Sequence, residues 1–98
     1  KLFFYTPMKL EELYTIIKER KKTMPENSYV GSLLKEGNDR IIQKFGEEAI
    51  EVIIAAKNQT KKKIVLEVAD LLFHLLIMFS IYNITLNDIE VELNKRNS

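Results

Sequence analysis

The stretch from residue 68 to residue 81 constrains the fold more than any other part of the chain. It reads VADLLFHLLIMFSI, so the helix that it predicts is apolar on nearly every side. A helix of this kind must be covered all round by other apolar surface. A chain of 98 residues has few further helices to provide that cover, and a second copy of the chain is the natural supplier. We therefore expect a homodimer. The alternative is a monomer whose other helices wrap around this one.

Apolar spacing and capping residues predict helices along the rest of the chain, and three glycines with two prolines are too few for many short strands. In chain order, the expected N-caps and ends are Thr6-Pro7 to Thr23, Ser28 to Glu36, Asn38 to Lys57, Thr60 to Tyr82 and Thr85 to Arg96. On the third helix we expect these side chains to face inward: Ile41, Ile42, Phe45, Ala49, Val52, Ile53 and Ala56. The prediction is an all-α fold of four to five helices in one domain over residues 9–98, with residues 1–8 as a tail or linker remnant.

Composition excludes several classes of function. The chain has no cysteine and one histidine, which excludes a disulfide framework and a thiolate zinc site and leaves little for a multi-histidine metal site. A net charge of +1 gives no electrostatic reason to expect a nucleic acid or an anionic membrane as partner. The apolar run from residue 71 to 84 is shorter than the roughly 20 residues of a membrane span, and no signal peptide is evident. We expect a cytoplasmic protein.

Four carboxylates are predicted to meet across the hairpin of the third and fourth helices. Glu48 and Glu51 share a helix face because they are three residues apart, and so do Glu67 and Asp70. Counted from residue 59, Glu51 and Glu67 are each eight residues away, while Glu48 and Asp70 are each eleven. Equal counts at the same rise per residue place each pair at the same height on the hairpin.

Converging carboxylates need a counter-charge, since like charges in a partly desolvated site repel strongly. A hard divalent cation would supply it, and a ligand set of oxygen atoms favours Mg²⁺, with Mn²⁺ as a close second. A single Glu-x-x-Glu pair is more often a solvated helix face, and Glu47 alone can be a surface charge paired with Lys44. Two pairs at matched heights, one of them in apolar sequence, favour a metal site.

These motifs resemble those of the MazG-like, all-α nucleoside triphosphate pyrophosphohydrolases, and within that superfamily the phosphoribosyl-ATP pyrophosphatase family. The segments that carry the resemblance are Glu19-Arg-Lys, Pro25-Glu-Asn-Ser-Tyr29, Lys44-Phe-Gly-Glu-Glu-Ala49, Ala55-Ala-Lys-Asn58 and Glu67-Val-Ala-Asp-Leu-Leu-Phe-His-Leu-Leu76. The resemblance implies a MazG-like bundle completed by homodimerisation. It also implies Mg²⁺-dependent hydrolysis of phosphoribosyl-ATP to phosphoribosyl-AMP and pyrophosphate, the second step of histidine biosynthesis, and pairing or fusion with phosphoribosyl-AMP cyclohydrolase.

The resemblance also implies roles for individual residues. Glu48, Glu51, Glu67 and Asp70 would hold the metal, and Glu47 would orient or deprotonate water, although a structural role is equally expected for it. The candidates for binding the substrate are Arg20, Lys44 and Lys57 at its phosphates, and Ser28, Tyr29 and Asn58 elsewhere. We expect His74 to be a core histidine hydrogen-bonded by a helix neighbour, and Lys61-Lys62-Lys63 to be a solvated helix end.

Two other functions remain open at this point. One is a related enzyme that hydrolyses a different nucleoside triphosphate. The other is a helical dimerisation module whose acidic cluster binds metal only for stability.

Overall fold

The computed structural model describes residues 8–58 and 60–97, which form five α-helices. These are α1 (Leu10–Thr23), α2 (Tyr29–Glu36), α3 (Asn38–Asn58), α4 (Lys61–Ile81) and α5 (Leu86–Lys95). No strand occurs within these described ranges. The prediction of an all-α fold with up to five helices is confirmed.

Short polar side chains begin three of the helices, as their positions in the sequence predict. The Ser28 hydroxyl accepts a hydrogen bond from the Gly31 N–H at 3.1 Å, at the start of α2. The Thr60 hydroxyl accepts from the Lys63 N–H at 3.4 Å, at the start of α4. At the start of α5, Thr85 and Asp88 form a reciprocal capping box with distances of 2.8 and 3.0 Å. Each cap satisfies a backbone N–H that has no partner inside its helix.

Two helix starts differ from the prediction. The first helix begins at Leu10, because the Glu12 carboxylate accepts from the Lys9 N–H at 2.9 Å and satisfies the backbone there. The predicted start at Thr6-Pro7 lies outside the described residues. Asn38 is the first residue of α3 and not its N-cap, since the Ile41 N–H donates to the carbonyl of Gly37, the residue before it. Gly37 has a φ of 102°, a backbone conformation that glycine adopts without a side-chain clash.

The core lies at one half of the hairpin formed by α3 and α4. There α1 and α2 cover the carboxyl-terminal half of α4 and the first turns of α3. The buried apolar side chains are Tyr14, Ile17, Val30, Leu33, Ile41, Leu76, Ile77 and Phe79. Burial of these side chains is the main favourable contribution to folding. No residue of α5 is buried.

The other half of the hairpin is apolar and uncovered within one chain. Its exposed side chains are Ile50, Ile53, Ile54, Val65 and Leu66, with exposed fractions between 47% and 59%. Of the seven side chains predicted to face inward from α3, Ile42, Ile53 and Ala56 are exposed, so for them the prediction is wrong within one chain. The reason is geometric, because α1 and α2 end before this half and only α4 packs along it. We call this surface the apolar face.

Helix α4 is long and apolar enough, by length and composition alone, to cross a membrane. The central helix of a water-soluble protein meets the same criterion. Polar groups are costly inside a bilayer, and α4 carries Glu67, Asp70 and His74. The absence of a membrane partner stays a prediction.

Candidate active site

The middle of the hairpin brings together three carboxylates. Glu48 extends from α3, and Glu67 and Asp70 extend from α4 on the facing side. One oxygen of each carboxylate lies within 4.8 Å of one oxygen of each of the others. Glu67 is buried, Glu48 is half-buried and Asp70 is exposed, so the acidic cluster opens to solvent on one side. These are three of the four residues that the matched heights single out.

Glu51 does not belong to this close group. Three residues turn an α-helix by about 300°, so Glu51 points about 60° away from Glu48 around α3. Its side chain is exposed, although it is near enough for its charge to act on Lys63. Its role as a fourth metal ligand stays a prediction.

Two lysines neutralise part of the acidic cluster. The Lys44 ammonium lies 3.3 Å from the Glu48 carboxylate, and the Lys63 ammonium lies 3.0 Å from that of Glu67. A hydrogen bond to Glu48 raises the pKa of Lys44, and one to Glu67 raises the pKa of Lys63. Within residues 8–58 and 60–97, Asp70 makes no ion pair.

Sequence reasoning found Lys44 but missed Lys63. Lys63 was grouped with its neighbours as a solvated helix end, yet it is four residues before Glu67. That spacing places two side chains on the same face of a helix. The spacing was therefore the available indication.

Glu47 lies outside the acidic cluster, on the outer side of α3. Its carboxylate accepts a hydrogen bond from Gln43 at 3.2 Å and lies 3.4 Å from Arg40 and 3.8 Å from Lys44. Three donors therefore hold it in place. This arrangement accounts for the residue structurally, and its predicted action on water stays a prediction.

Tyr29 lies beside the acidic cluster and is held there by α4. Its hydroxyl is 2.8 Å from Nε2 of His74, and its ring stacks on Phe73 with 5.9 Å between ring centroids. Burial raises the pKa of Tyr29, whereas the nearby Lys44 charge lowers it. His74 is buried and its Nδ1 lies 2.7 Å from the Asp70 carbonyl, as expected of a core histidine with a helix neighbour as partner.

The remaining predicted contacts are less concentrated. Ser28 is buried and caps α2, so its hydroxyl is already engaged. Arg20, Lys57 and Asn58 are exposed, and in the described part of the chain no printed hydrogen bond or ion pair joins them to the acidic cluster. The Asn58 amide donates to the Ile54 carbonyl at 3.3 Å.

The donor set of the acidic cluster fits a hard divalent cation. All three side chains offer carboxylate oxygens, and their mutual distances let one ion contact all three. A cation there would also offset the repulsion that three negative charges exert on one another.

Comparison with known proteins supports the interpretation drawn from these motifs. The family model described as phosphoribosyl-ATP pyrophosphohydrolase matches residues 10–97. The chain belongs to this family. The match includes all five helices and every residue of the acidic cluster. The resemblance inferred from the sequence is thereby confirmed.

Individual relatives of this family match at high identity. A phosphoribosyl-ATP pyrophosphatase of Leptospira biflexa is 48% identical over 91 residues, covering 93% of this chain and 96% of the relative. The histidine biosynthesis bifunctional protein HisIE of Caldanaerobacter subterraneus is 51% identical over 87 residues, covering 89% of this chain and 42% of the relative. The protein of that name from Pyrococcus furiosus is 49% identical and is covered to 40%. The chain therefore spans less than half of the length of these bifunctional relatives.

Proposed function

We propose that this chain hydrolyses phosphoribosyl-ATP to phosphoribosyl-AMP and pyrophosphate in histidine biosynthesis, with Mg²⁺ as its cofactor. The observation that carries the proposal is the acidic cluster of Glu48, Glu67 and Asp70, within a chain matched by the family over residues 10–97. Relatives named phosphoribosyl-ATP pyrophosphatase support the choice of substrate. The reaction needs neutralised charge and correct positioning more than a covalent nucleophile.

The cluster residues would hold the ion, with Glu51 at its edge as a fourth ligand. Bound Mg²⁺, or Mn²⁺ in its place, would neutralise negative charge on the triphosphate. Lys44 is half-buried beside Glu48 and can donate to a phosphate oxygen. Glu47 would orient the attacking water. The substrate contacts proposed further out are Arg20, Ser28, Tyr29, Lys57 and Asn58.

We also propose that the chain acts as a homodimer. The support is the apolar face, whose five side chains are 47–59% exposed and lie next to one another on α3 and α4. Contiguous apolar surface of this kind marks an interaction site in soluble proteins. A second copy offers the same face, which makes a two-fold symmetric contact self-complementary.

A partnership with phosphoribosyl-AMP cyclohydrolase, by fusion or by pairing, is a further part of the proposal. Two relatives carry the name of a bifunctional protein, and this chain matches 42% and 40% of their length. A cytoplasmic location also belongs to the proposal.

The test is pyrophosphate release from phosphoribosyl-ATP with Mg²⁺, measured beside ATP and dUTP. The wild type is compared with Asp70→Asn inside the acidic cluster, Glu51→Gln at its edge and Glu90→Gln on α5 as a matched control. We expect selective turnover of phosphoribosyl-ATP, its loss in Asp70→Asn and its retention in Glu90→Gln. A loss in Glu51→Gln as well would support its role as the fourth ligand.

Two outcomes would overturn the proposal. Turnover of other triphosphates only would indicate a related pyrophosphohydrolase with a different substrate. No turnover, together with a melting temperature that still rises with Mg²⁺, would indicate a non-catalytic dimerisation module.

A further inference from the structure

Three aromatic rings form a compact group next to the acidic cluster. The Tyr29 ring stacks on Phe73 and meets His74 edge-on, with centroid distances of 5.9 and 5.6 Å. Phe73 and His74 are also edge-on to each other at 5.3 Å. His74 is 6% exposed, whereas Tyr29 is 46% exposed. The buried residue therefore supports the exposed one.

The hydrogen-bond partners of His74 determine which nitrogen carries its proton. Nδ1 lies 2.7 Å from the Asp70 backbone carbonyl, which can only accept a hydrogen bond. Nδ1 must therefore donate, and in the neutral ring Nε2 is then an acceptor. The Tyr29 hydroxyl, 2.8 Å from Nε2, must donate its single proton to it. Only lone pairs of the phenol oxygen remain for other partners.

The surroundings of Tyr29 agree with this direction. Burial raises the pKa of the phenol, so it keeps the proton that it donates. The charges of Lys44 and Glu48 both act on Tyr29, which places the phenol beside the ion pair at the acidic cluster.

We propose that His74 is a positioning residue that holds the Tyr29 phenol beside the acidic cluster as a hydrogen-bond acceptor for a hydroxyl or amino group of the substrate. A deprotonated phosphate oxygen has no proton to give, so Tyr29 does not bind the phosphates. Ribose hydroxyls and the adenine amino group are donors of the required kind. This inference rests on the proposed function for its substrate, and it assigns to Tyr29 the part of that substrate outside the triphosphate.

The first test does not depend on activity. His74 is the one histidine in the chain, so a long-range ¹H–¹⁵N NMR spectrum of the folded protein reports its ring nitrogens without ambiguity. We expect the proton on Nδ1, and Tyr29→Phe should shift the Nε2 resonance. A proton on Nε2 would overturn the proposal, because Tyr29 would then accept from His74 and keep its own proton for the substrate.

The second test separates binding from chemistry. Tyr29→Phe and His74→Leu should each raise the KM for phosphoribosyl-ATP by about 3- to 10-fold, the effect of one neutral hydrogen bond, with kcat largely retained. The double variant should resemble the single ones, because the two residues act as a unit. His74→Gln, whose amide oxygen can accept from Tyr29, should restore a KM close to the wild type. Tyr82→Phe is the matched control, since Tyr82 is exposed at the end of α4.

Inhibition by inorganic pyrophosphate completes the design. Tyr29→Phe should leave its inhibition constant unchanged, whereas Lys44→Met should raise it. A raised constant in Tyr29→Phe would place the phenol at the phosphates and contradict the proposal, as would additive effects in the double variant.

Failure of the inference differs from failure of the proposed function. If the wild type does not hydrolyse phosphoribosyl-ATP, the proposed function fails, and the NMR result still decides the orientation of Tyr29. If the wild type is active and His74→Leu does not fold, Tyr29→Phe and His74→Gln decide the inference.

Discussion

Neutralising Asp70 should stabilise the metal-free protein while removing its response to Mg²⁺. Three carboxylate oxygens lie within 4.8 Å of one another, and Asp70→Asn removes two of the three repulsive pairs. At 4.8 Å, two unit charges repel by about 0.9 kcal/mol at the dielectric constant of water and by about 3.5 kcal/mol at an effective value of 20. Because Asp70 is exposed and makes no ion pair among the described residues, the lower value applies.

Two pairs at that lower value give about 2 kcal/mol, and the lost attraction between Asp70 and Lys63 offsets part of it. We expect a net gain of about 1 kcal/mol, which raises the melting temperature of a domain of this size by about 4–8 °C. The assay is thermal unfolding by circular dichroism in EDTA and again with Mg²⁺, with Glu90→Gln as control. A lower melting temperature in EDTA, or an undiminished rise with Mg²⁺, would refute the reasoning.

Three further predictions concern the apolar face, the core and the response to pH. Ile53→Lys should convert a dimer to a monomer in sedimentation equilibrium, whereas Ile89→Lys on α5 should not; a dimeric Ile53→Lys would contradict the proposed interface. Tyr14→Phe should lower the free energy of unfolding in urea by about 1 kcal/mol, because it leaves the Ile84 carbonyl without its hydrogen bond; Tyr82→Phe should have no such effect. The pKa of Lys44 is raised above its ordinary 10.5, so its contact with Glu48 stabilises fully below pH 10.5 and is lost as the pH rises through the raised value; the unfolding free energy should fall there, and less steeply in Lys44→Met.

The sequence sufficed for the helices because their signals are local. Ser28, Thr60 and Thr85 each supply a hydroxyl to a backbone N–H three residues on, so no distant contact is needed to predict them. The acidic cluster was predictable for a similar reason, since a short connection fixes the relative heights of residues on two antiparallel helices.

What the sequence could not supply depends on rotation about each helix axis and on which elements cover which faces. Equal heights do not distinguish Glu51 from Glu48, because height along a helix says nothing about the direction in which a side chain points. Ile42 and Ile53 have an apolar character typical of a core, yet α1 and α2 do not reach them. The contact between Tyr29 and His74 joins residues 45 positions apart and required the packed structure.

Lys44 and Lys63 have a consequence for the order of events when the protein matures. Each already contacts one carboxylate of the acidic cluster, so a divalent cation that arrives there replaces an ammonium group and does not fill an uncompensated charge. Domains built around a structural ion commonly unfold without it. Here the two side chains act as exchangeable counter-ions, which lets the helical hairpin assemble first and select its metal afterwards.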